Sequence, residues 1–254
     1  MKVTFLGTGT STGVPQIGCH CDTCTSTDPR DKRLRASALV DTDNGQRLLI
    51  DCGPDFRQQI LRHGSPELTA LLITHSHYDH VGGIDDLRPY CYPDSFPVYC
   101  KADVDHDLRT RMPYSFAKHL YPGVPTFSMH TIDGDRPFQV GPDTVTPLPV
   151  MHAKLPIVGF RIGGLSYITD CKTMPDSTLD LLRGTDTLVI NALRHEPHMS
   201  HLSLDEALAI VRKVGARQTY LTHISHQLGR HAQVSPTLPQ GLHLAYDGLT
   251  VQVP

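Results

Sequence analysis

The stretch LLITHSHYDHVGG, residues 71–83, sets His75, His77, Asp79 and His80 within six positions, directly after an apolar run and before a glycine pair. A loop leaving a strand end stays extended, so alternate residues point the same way and His75 and His77 converge on one ion. Asp79 and His80 follow where the chain turns. Adjacent side chains project differently there, so these two can serve a second ion about 3.5–4 Å away, the separation of two-metal sites. Gly82 and Gly83 give the backbone freedom to turn around such a centre and enter a helix.

Two ions require further ligands, and the chain supplies them in the same context, a polar residue closing an apolar run. His152 follows TPLPV, Asp170 follows LSYI and His223 follows TYL. Asp170 suits a bridging position, because a carboxylate has two oxygens to offer whereas a neutral imidazole gives each metal one lone pair. A separate cluster, CHCDTC, groups Cys19, Cys21 and Cys24. The total of seven cysteines is odd, so a disulfide framework fits poorly and metal ligation fits better. Cys52, Cys91, Cys100 and Cys171 read as ordinary thiols.

Composition removes several function classes. No run of about 18 apolar residues is present, and the start MKVTFLGTG lacks the features of a signal peptide, so a soluble cytoplasmic protein with no membrane partner is expected. The formal net charge is −3 and the basic residues are dispersed apart from RDKRLR (30–35), which gives no footprint for long nucleic acid. GTGTSTG (7–13) lacks a phosphate-loop lysine, and a cysteine loop with Pro15 follows it instead of a helix, so it reads as a turn near the site.

Short β-branched or leucine-rich runs predict strands at 3–6, 36–42, 47–51, 70–74, 144–150, 159–162, 165–169, 187–190, 219–222 and 249–253. Helices are expected at 55–64, 177–184 and 203–215. In the last of these Ser203 and Glu206 form a capping-box pattern, Leu204, Ala207, Leu208 and Val211 share a face, and Gly215 is the stop. Strands crowd both halves with helices entering between them, which predicts two mixed sheets covered by helices, an α/β (α+β) architecture, in a single domain over 1–254. The segment from about 85 to 125, rich in Tyr, Pro and charge, reads as an insertion or lid.

HSHYDH followed in order by His152, Asp170 and His223 resembles the metallo-β-lactamase fold hydrolases over essentially the whole chain. The resemblance implies an αββα sandwich, two mixed β-sheets flanked by helices, with a dinuclear site at one edge. By it, His75, His77 and His152 hold one metal, Asp79, His80 and His223 the other, and Asp170 bridges. Within that superfamily GTGTSTGVPQIGCHCDTC and THISHQ are similar to the cyclic phosphodiesterases of the carbon–phosphorus lyase pathway, whose cysteine loop and late histidine hold a structural zinc. Here those residues are Cys19, Cys21, Cys24 and His226, a closed tetrahedral set with no position left for substrate. The expected cofactors are therefore two divalent ions, Mn2+ or Zn2+, and one structural Zn2+.

Such a pair of ions acidifies water and neutralises charge on phosphate oxygens. Asp79 can orient that water or take its proton, and a leaving alkoxide needs a proton donor outside the ligand set. His201, in MSHLSLDEA, resembles the family's late histidine in that role, with His195 and His198 as alternatives. The expected activity is hydrolysis of small cyclic phosphates, a ribosyl 1,2-cyclic phosphate or 2′,3′-cyclic nucleotides. The competing readings are a transfer-RNA 3′-end endonuclease, for which no basic arm is visible, a thioester hydrolase, and a quinone-cofactor biosynthesis protein. The last is suggested by DCGPDFRQQIL (51–61), although its relatives have a depleted metal motif and HSHYDH is intact here. The partner implied is a small phosphodiester, and the resemblance is compatible with a homodimer.

Overall fold

In the computed structural model, which describes residues 1–254, fourteen strands pair into two seven-stranded sheets. The first runs β14 (Thr250–Gln252), β1 (Lys2–Gly7), β2 (Ser37–Asp41), β3 (Arg47–Ile50), β4 (Ala70–Leu72), β5 (Phe96–Cys100), β6 (Phe127–Thr131). The second runs β13 (Leu242–Leu244), β12 (Gln218–Thr222), β11 (Thr187–Asn191), β10 (Leu165–Tyr167), β9 (Leu155–Ile162), β8 (Asp143–His152), β7 (Phe138–Val140). Each sheet is mixed. Pairing is antiparallel from β14 to β3 and parallel from β3 to β6; in the second sheet it is parallel from β13 to β10 and antiparallel from β10 to β7.

Parallel neighbours need crossovers, and these are where the helices lie. α1 (Phe56–Arg62) joins β3 to β4, α2 (Tyr78–Val81) follows β4, and α3 (Ala102–Arg111) joins β5 to β6. In the second sheet α4 (Asp176–Leu181), α5 (Leu204–Val214) and α6 (His231–Val234) precede β11, β12 and β13. Residue alternation distributes the core into three layers. Ala38, Val40, Leu48 and Ile50 face Val158, Phe160 and Val189 between the sheets, while Leu39 and Leu49 turn outward to Phe56 and Ile60 of α1. Leu188 and Ile190 turn outward to Leu204 and Ala207 of α5. The result is an α–β–β–α stack in which sheets covered on both faces read as continuous apolar runs.

The expected helix at 203–215 forms with its capping box: Ser203 Oγ accepts from the Glu206 N–H, the Ser203 N–H donates to Glu206 Oε2, and Gly215 closes it in the left-handed region. No helix is long and apolar enough to cross a membrane. The segment 85–125 differs from the expected lid. It contains β5, which lies between β4 and β6, and α3, and its Val98, Cys100, Val104 and Leu108 are buried in the outer core of the first sheet. Pro97, inside FPVYC, masks the strand signal. Residues 96–111 are therefore frame, and Leu87 of the 3-10 helix Ile84–Tyr90 packs into the same core.

Candidate metal centre

The strand ends that carry the singled-out residues meet at one edge of the two sheets. Three of the residues that follow strands, Asp51, Asp170 and His223, have left-handed backbones with φ of 60°, 55° and 54°. A non-glycine residue held there is strained by about 1–3 kcal/mol, and it persists where surrounding bonds over-determine it. Asp51 is fixed by the Thr74 N–H donating to Oδ1 at 2.8 Å and by the Thr74 hydroxyl and the His80 Nδ1–H donating to Oδ2 at 2.9 and 2.7 Å. Asp170 is followed by Cys171, whose N–H donates to Asn191 Oδ1 and whose carbonyl accepts from Asn191 Nδ2. His223 precedes Ile224, whose N–H and carbonyl are bonded to Thr8 and Thr10 of the GTGTSTG turn. The glycines of that turn serve close backbone approach: a Cβ on Gly7 would stand 2.0 Å from the Arg35 carbonyl oxygen.

The ligand-competent atoms of Asp79, His80, Asp170 and His223, all buried, lie within 4.8 Å of one another, and so do those of His152, Asp170 and His201. Asp170 belongs to both groups. His75 and His77 extend the cluster, their rings 4.6 Å apart and 5.7 and 5.1 Å from the His152 ring, with the His75 ring also 4.2 Å from that of His80. The structure thus brings together all seven residues expected to hold the metal pair.

Hydrogen bonds fix which nitrogen three of the histidines present. The Thr74 hydroxyl is committed to Asp51, so it accepts from His75 Nδ1 at 3.0 Å. The His80 Nδ1–H is given to Asp51, and His152 Nδ1 donates to the carbonyls of Asp170 and Ser200. Each ring therefore turns Nε2 toward the cluster. His75 Nε2 and His223 Nδ1 are buried with no hydrogen-bond partner, and His80 Nε2 and His223 Nε2 face only carboxylate oxygens, at 3.1 Å, without hydrogen-bond geometry. Orphaned buried donors and acceptors are expensive to leave, so their convergence marks a place built for a ligand.

The electrostatics point to positive charge as that ligand. Burial and the charge on His80 hold His75 well below the ordinary imidazole range. His80 is the exception: burial opposes its charge, yet Asp170, Asp51 and Asp79 together raise it well above that range. The His80 Nε2 lies 3.1 Å from an oxygen of Asp79 and of Asp170. A pocket that draws a proton onto a fully buried imidazole has excess negative charge, which divalent cations would neutralise. The donor set of imidazoles and carboxylates fits such ions.

Of the three candidate proton donors, His201 is the one inside the cluster. It is buried, stacked at 4.8 Å on His223, with Nδ1 3.6 Å from Asp170 Oδ1. Burial and then the His223 charge push it down to about 3. His198 borders it with ring centroids 5.2 Å apart, whereas His195 is exposed and its Nε2 is bonded to the Leu228 carbonyl. The second cluster is also assembled: the sulfurs of Cys19, Cys21 and Cys24 and a His226 nitrogen lie within 4.8 Å of one another. His226 Nδ1 is 3.2 Å from the Cys21 sulfur, and that contact brings the Cys21 thiol down to about 6, while burial pushes Cys24 up to about 11.

Asp51 and Asn191 are the residues that sequence reading missed. Both occupy the same strand-end context as the ligands, in RLLID and TLVIN, and that repeated context is the signal that would have found them.

Residues 46–224 match the beta-lactamase superfamily domain. A protein of Porphyromonas gingivalis named octanoyltransferase is 44% identical over 250 residues, which cover 98% of this chain and 51% of that protein, so the chain spans about half its length. The crystal structure of a diphosphatase from the PhnP family superposes with a TM-score of 0.92 at 40% identity, covering 98% of this chain and 96% of that one. Zinc-bound PqqB from Methylobacterium extorquens shares the fold, with a TM-score of 0.81 at 22% identity and full coverage of both chains. With its two mixed sheets flanked by helices and its metal-competent His/Asp cluster, the chain belongs to the beta-lactamase superfamily, among the metallo-β-lactamase fold hydrolases related to the PhnP family.

Proposed function

We propose that this chain is a dinuclear metal-dependent phosphodiesterase acting on small phosphate esters, cyclic phosphates among them. The observation that carries the reading is Asp170, a buried carboxylate common to both ligand groups, which supports a centre for two ions. His75, His77 and His152 would hold one ion, Asp79, His80 and His223 the other, and Asp170 both. Bound there, divalent ions, Mn2+ or Zn2+, supply acidified water and neutralise charge on phosphoryl oxygens. Asp51 orients His80 through Nδ1. Asp79, at the first turn of α2, is positioned to accept a proton from the attacking water, and His201, held neutral by burial, would first take up that proton and then pass it to the departing oxygen. Cys19, Cys21, Cys24 and His226 would hold a structural zinc whose last ligand lies three residues beyond His223, so that one ion staples the N-terminal loop to the catalytic edge.

The 40%-identical diphosphatase supports phosphorus chemistry, and the slightly negative net charge favours a small ester over a long nucleic acid. A second reading, hydrolysis of an acyl ester or thioester by the same centre, is favoured by the 44%-identical relative named for octanoyl transfer. The test is turnover of bis(p-nitrophenyl) phosphate and 2′,3′-cyclic AMP by protein reconstituted with manganese or zinc, beside Asp170→Ala. Turnover lost in the variant, with the fold intact, is the expected result. No turnover of either ester with two catalytic equivalents of metal bound overturns the phosphodiesterase reading in favour of the acyl one.

A further inference from the structure

At the β8–β9 hairpin, next in the chain to His152, lies a cleft of about 430 Å³ that shares no residue with the His/Asp cluster. Its walls are the β8–β9 hairpin and the segment leading into α4, chiefly Pro149, Met151, Pro156, Ile157, Met174 and Pro175, with Lys101 just past the end of β5. The cleft is tied to the centre through the chain: Met151 precedes His152, and Met174 lies four residues beyond Asp170. The Met151 N–H donates to the Thr173 carbonyl at 2.8 Å, and the Lys172 N–H to the Met151 carbonyl at 2.7 Å. Lys101 Nζ donates to the Pro156 carbonyl and to Asp103 at 2.9 and 3.2 Å, which commits two of its three N–H groups and leaves one at the cleft.

A wall of proline, isoleucine and thioether side chains favours an alkyl chain over a sugar or a base, whose polar edges would go unsatisfied there. The ammonium at its border favours an adjoining carbonyl, carboxyl or phosphoryl oxygen. The volume falls toward the small end of the roughly 300–1,000 Å³ typical of ligand pockets, which suits a medium-length chain. We propose that the cleft binds such an acyl chain, so that the substrate cleaved at the cluster is the mixed anhydride of a fatty acid and a nucleoside phosphate, an acyl adenylate, rather than a bare cyclic phosphate. The scissile group in this inference rests on the phosphodiesterase reading, and the cleft does not. Hydrolysis breaks the P–O bond to the acyl group; water's oxygen forms the new bond to phosphorus and keeps one proton there, the chain leaves as its carboxylate, and the other proton is released.

The chain carries six methionines, so methyl NMR of the metal-reconstituted protein can follow Met151 and Met174 directly during titration with butanoate, hexanoate and octanoate. The expected result is shifts at these two methyls with affinity rising about fourfold for each added CH2, as burial of methylenes requires. Met174→Asp should weaken octanoate at least about tenfold. Lys101→Gln, which leaves the apolar wall intact, guards against a folding defect in that variant and should lower affinity for every chain length alike. Affinity independent of chain length, or shifts confined to the cluster, overturns the proposal. In a second arm, octanoyl adenylate should show a kcat/KM at least about tenfold above acetyl adenylate, because the two differ only in the chain. Equal values sink the inference and leave the phosphodiesterase intact. Failure of both adenylates and of 2′,3′-cyclic AMP, with the methyl shifts present, sinks the phosphodiesterase and leaves the cleft.

Discussion

Asp51→Asn separates metal positioning from folding. The wild-type carboxylate has no exposed surface and accepts from three donors, the Thr74 amide, the Thr74 hydroxyl and His80 Nδ1. Asparagine keeps the shape and tolerates the left-handed backbone at φ 60°, so the Thr74 amide bond survives and stability should change by about 1 kcal/mol or less. What it loses is the charge that anchors the His80 ring. Removing such an outer-shell partner costs about 10–100-fold in metal affinity or activity, equivalent to roughly 1.4–2.7 kcal/mol. Asp51→Ala is the contrast. It strands the buried Thr74 amide and hydroxyl, at about 1–3 kcal/mol each, and adds the left-handed penalty of about 1–2 kcal/mol. Calorimetric titration of metal-free protein with Mn2+ and Zn2+, paired with urea unfolding, measures both quantities. Wild-type metal affinity in Asp51→Asn would refute the positioning role, and equal destabilisation of the two variants would refute the hydrogen-bond argument.

Gly53→Ala should destabilise the protein by about 1–3 kcal/mol or more and displace the Asp79–His80 segment, because the new Cβ would stand 2.1 Å from the Asp79 carbonyl oxygen, a backbone atom that cannot swing away; unfolding midpoints and metal content check it. Cys21 in metal-free protein should react with iodoacetamide from about pH 6 upward, the position to which the His226 contact brings it, and zinc should protect it; reactivity that rises only near pH 9 would remove that contact from solution. Glu206 is held below its usual 4.5, since burial is outweighed by the Lys172 ion pair and the Ser203 N–H. A depressed carboxyl stabilises the fold above pH 4.5 and loses that contribution as pH falls through its folded value, so Glu206→Gln, which keeps the bond to the Ser203 N–H and loses only a solvent-screened ion pair, should lower stability by about 0.5 kcal/mol or less at pH 7 and flatten the acid limb below pH 4.5. A variant whose acid limb matches wild type would contradict the assignment.

The metal-competent residues were legible in the sequence because each sits at a strand end, where an apolar run gives way abruptly to a polar residue. His75, His152, Asp170 and His223 all carry that signature, and the α5 cap was readable from Ser203, Glu206 and Gly215 alone. These features depend on local geometry, which a few neighbouring residues dictate. Asp51 and Asn191 share the signature yet were not found, because their importance lies in partners 29 and 20 positions away, His80 and Cys171. β5 was hidden for a related reason: Pro97 and the polar flanks of FPVYC speak against a strand, and only insertion between β4 and β6 stabilises one. Which side chains could ligate a metal followed from residue type and local spacing alone. Tertiary structure decided which nitrogen His75, His80 and His152 present, which carboxylate is shared, and where an apolar cleft opens at the β8–β9 hairpin, because hydrogen-bond partners and cavities are made by segments that meet only when two sheets close on each other.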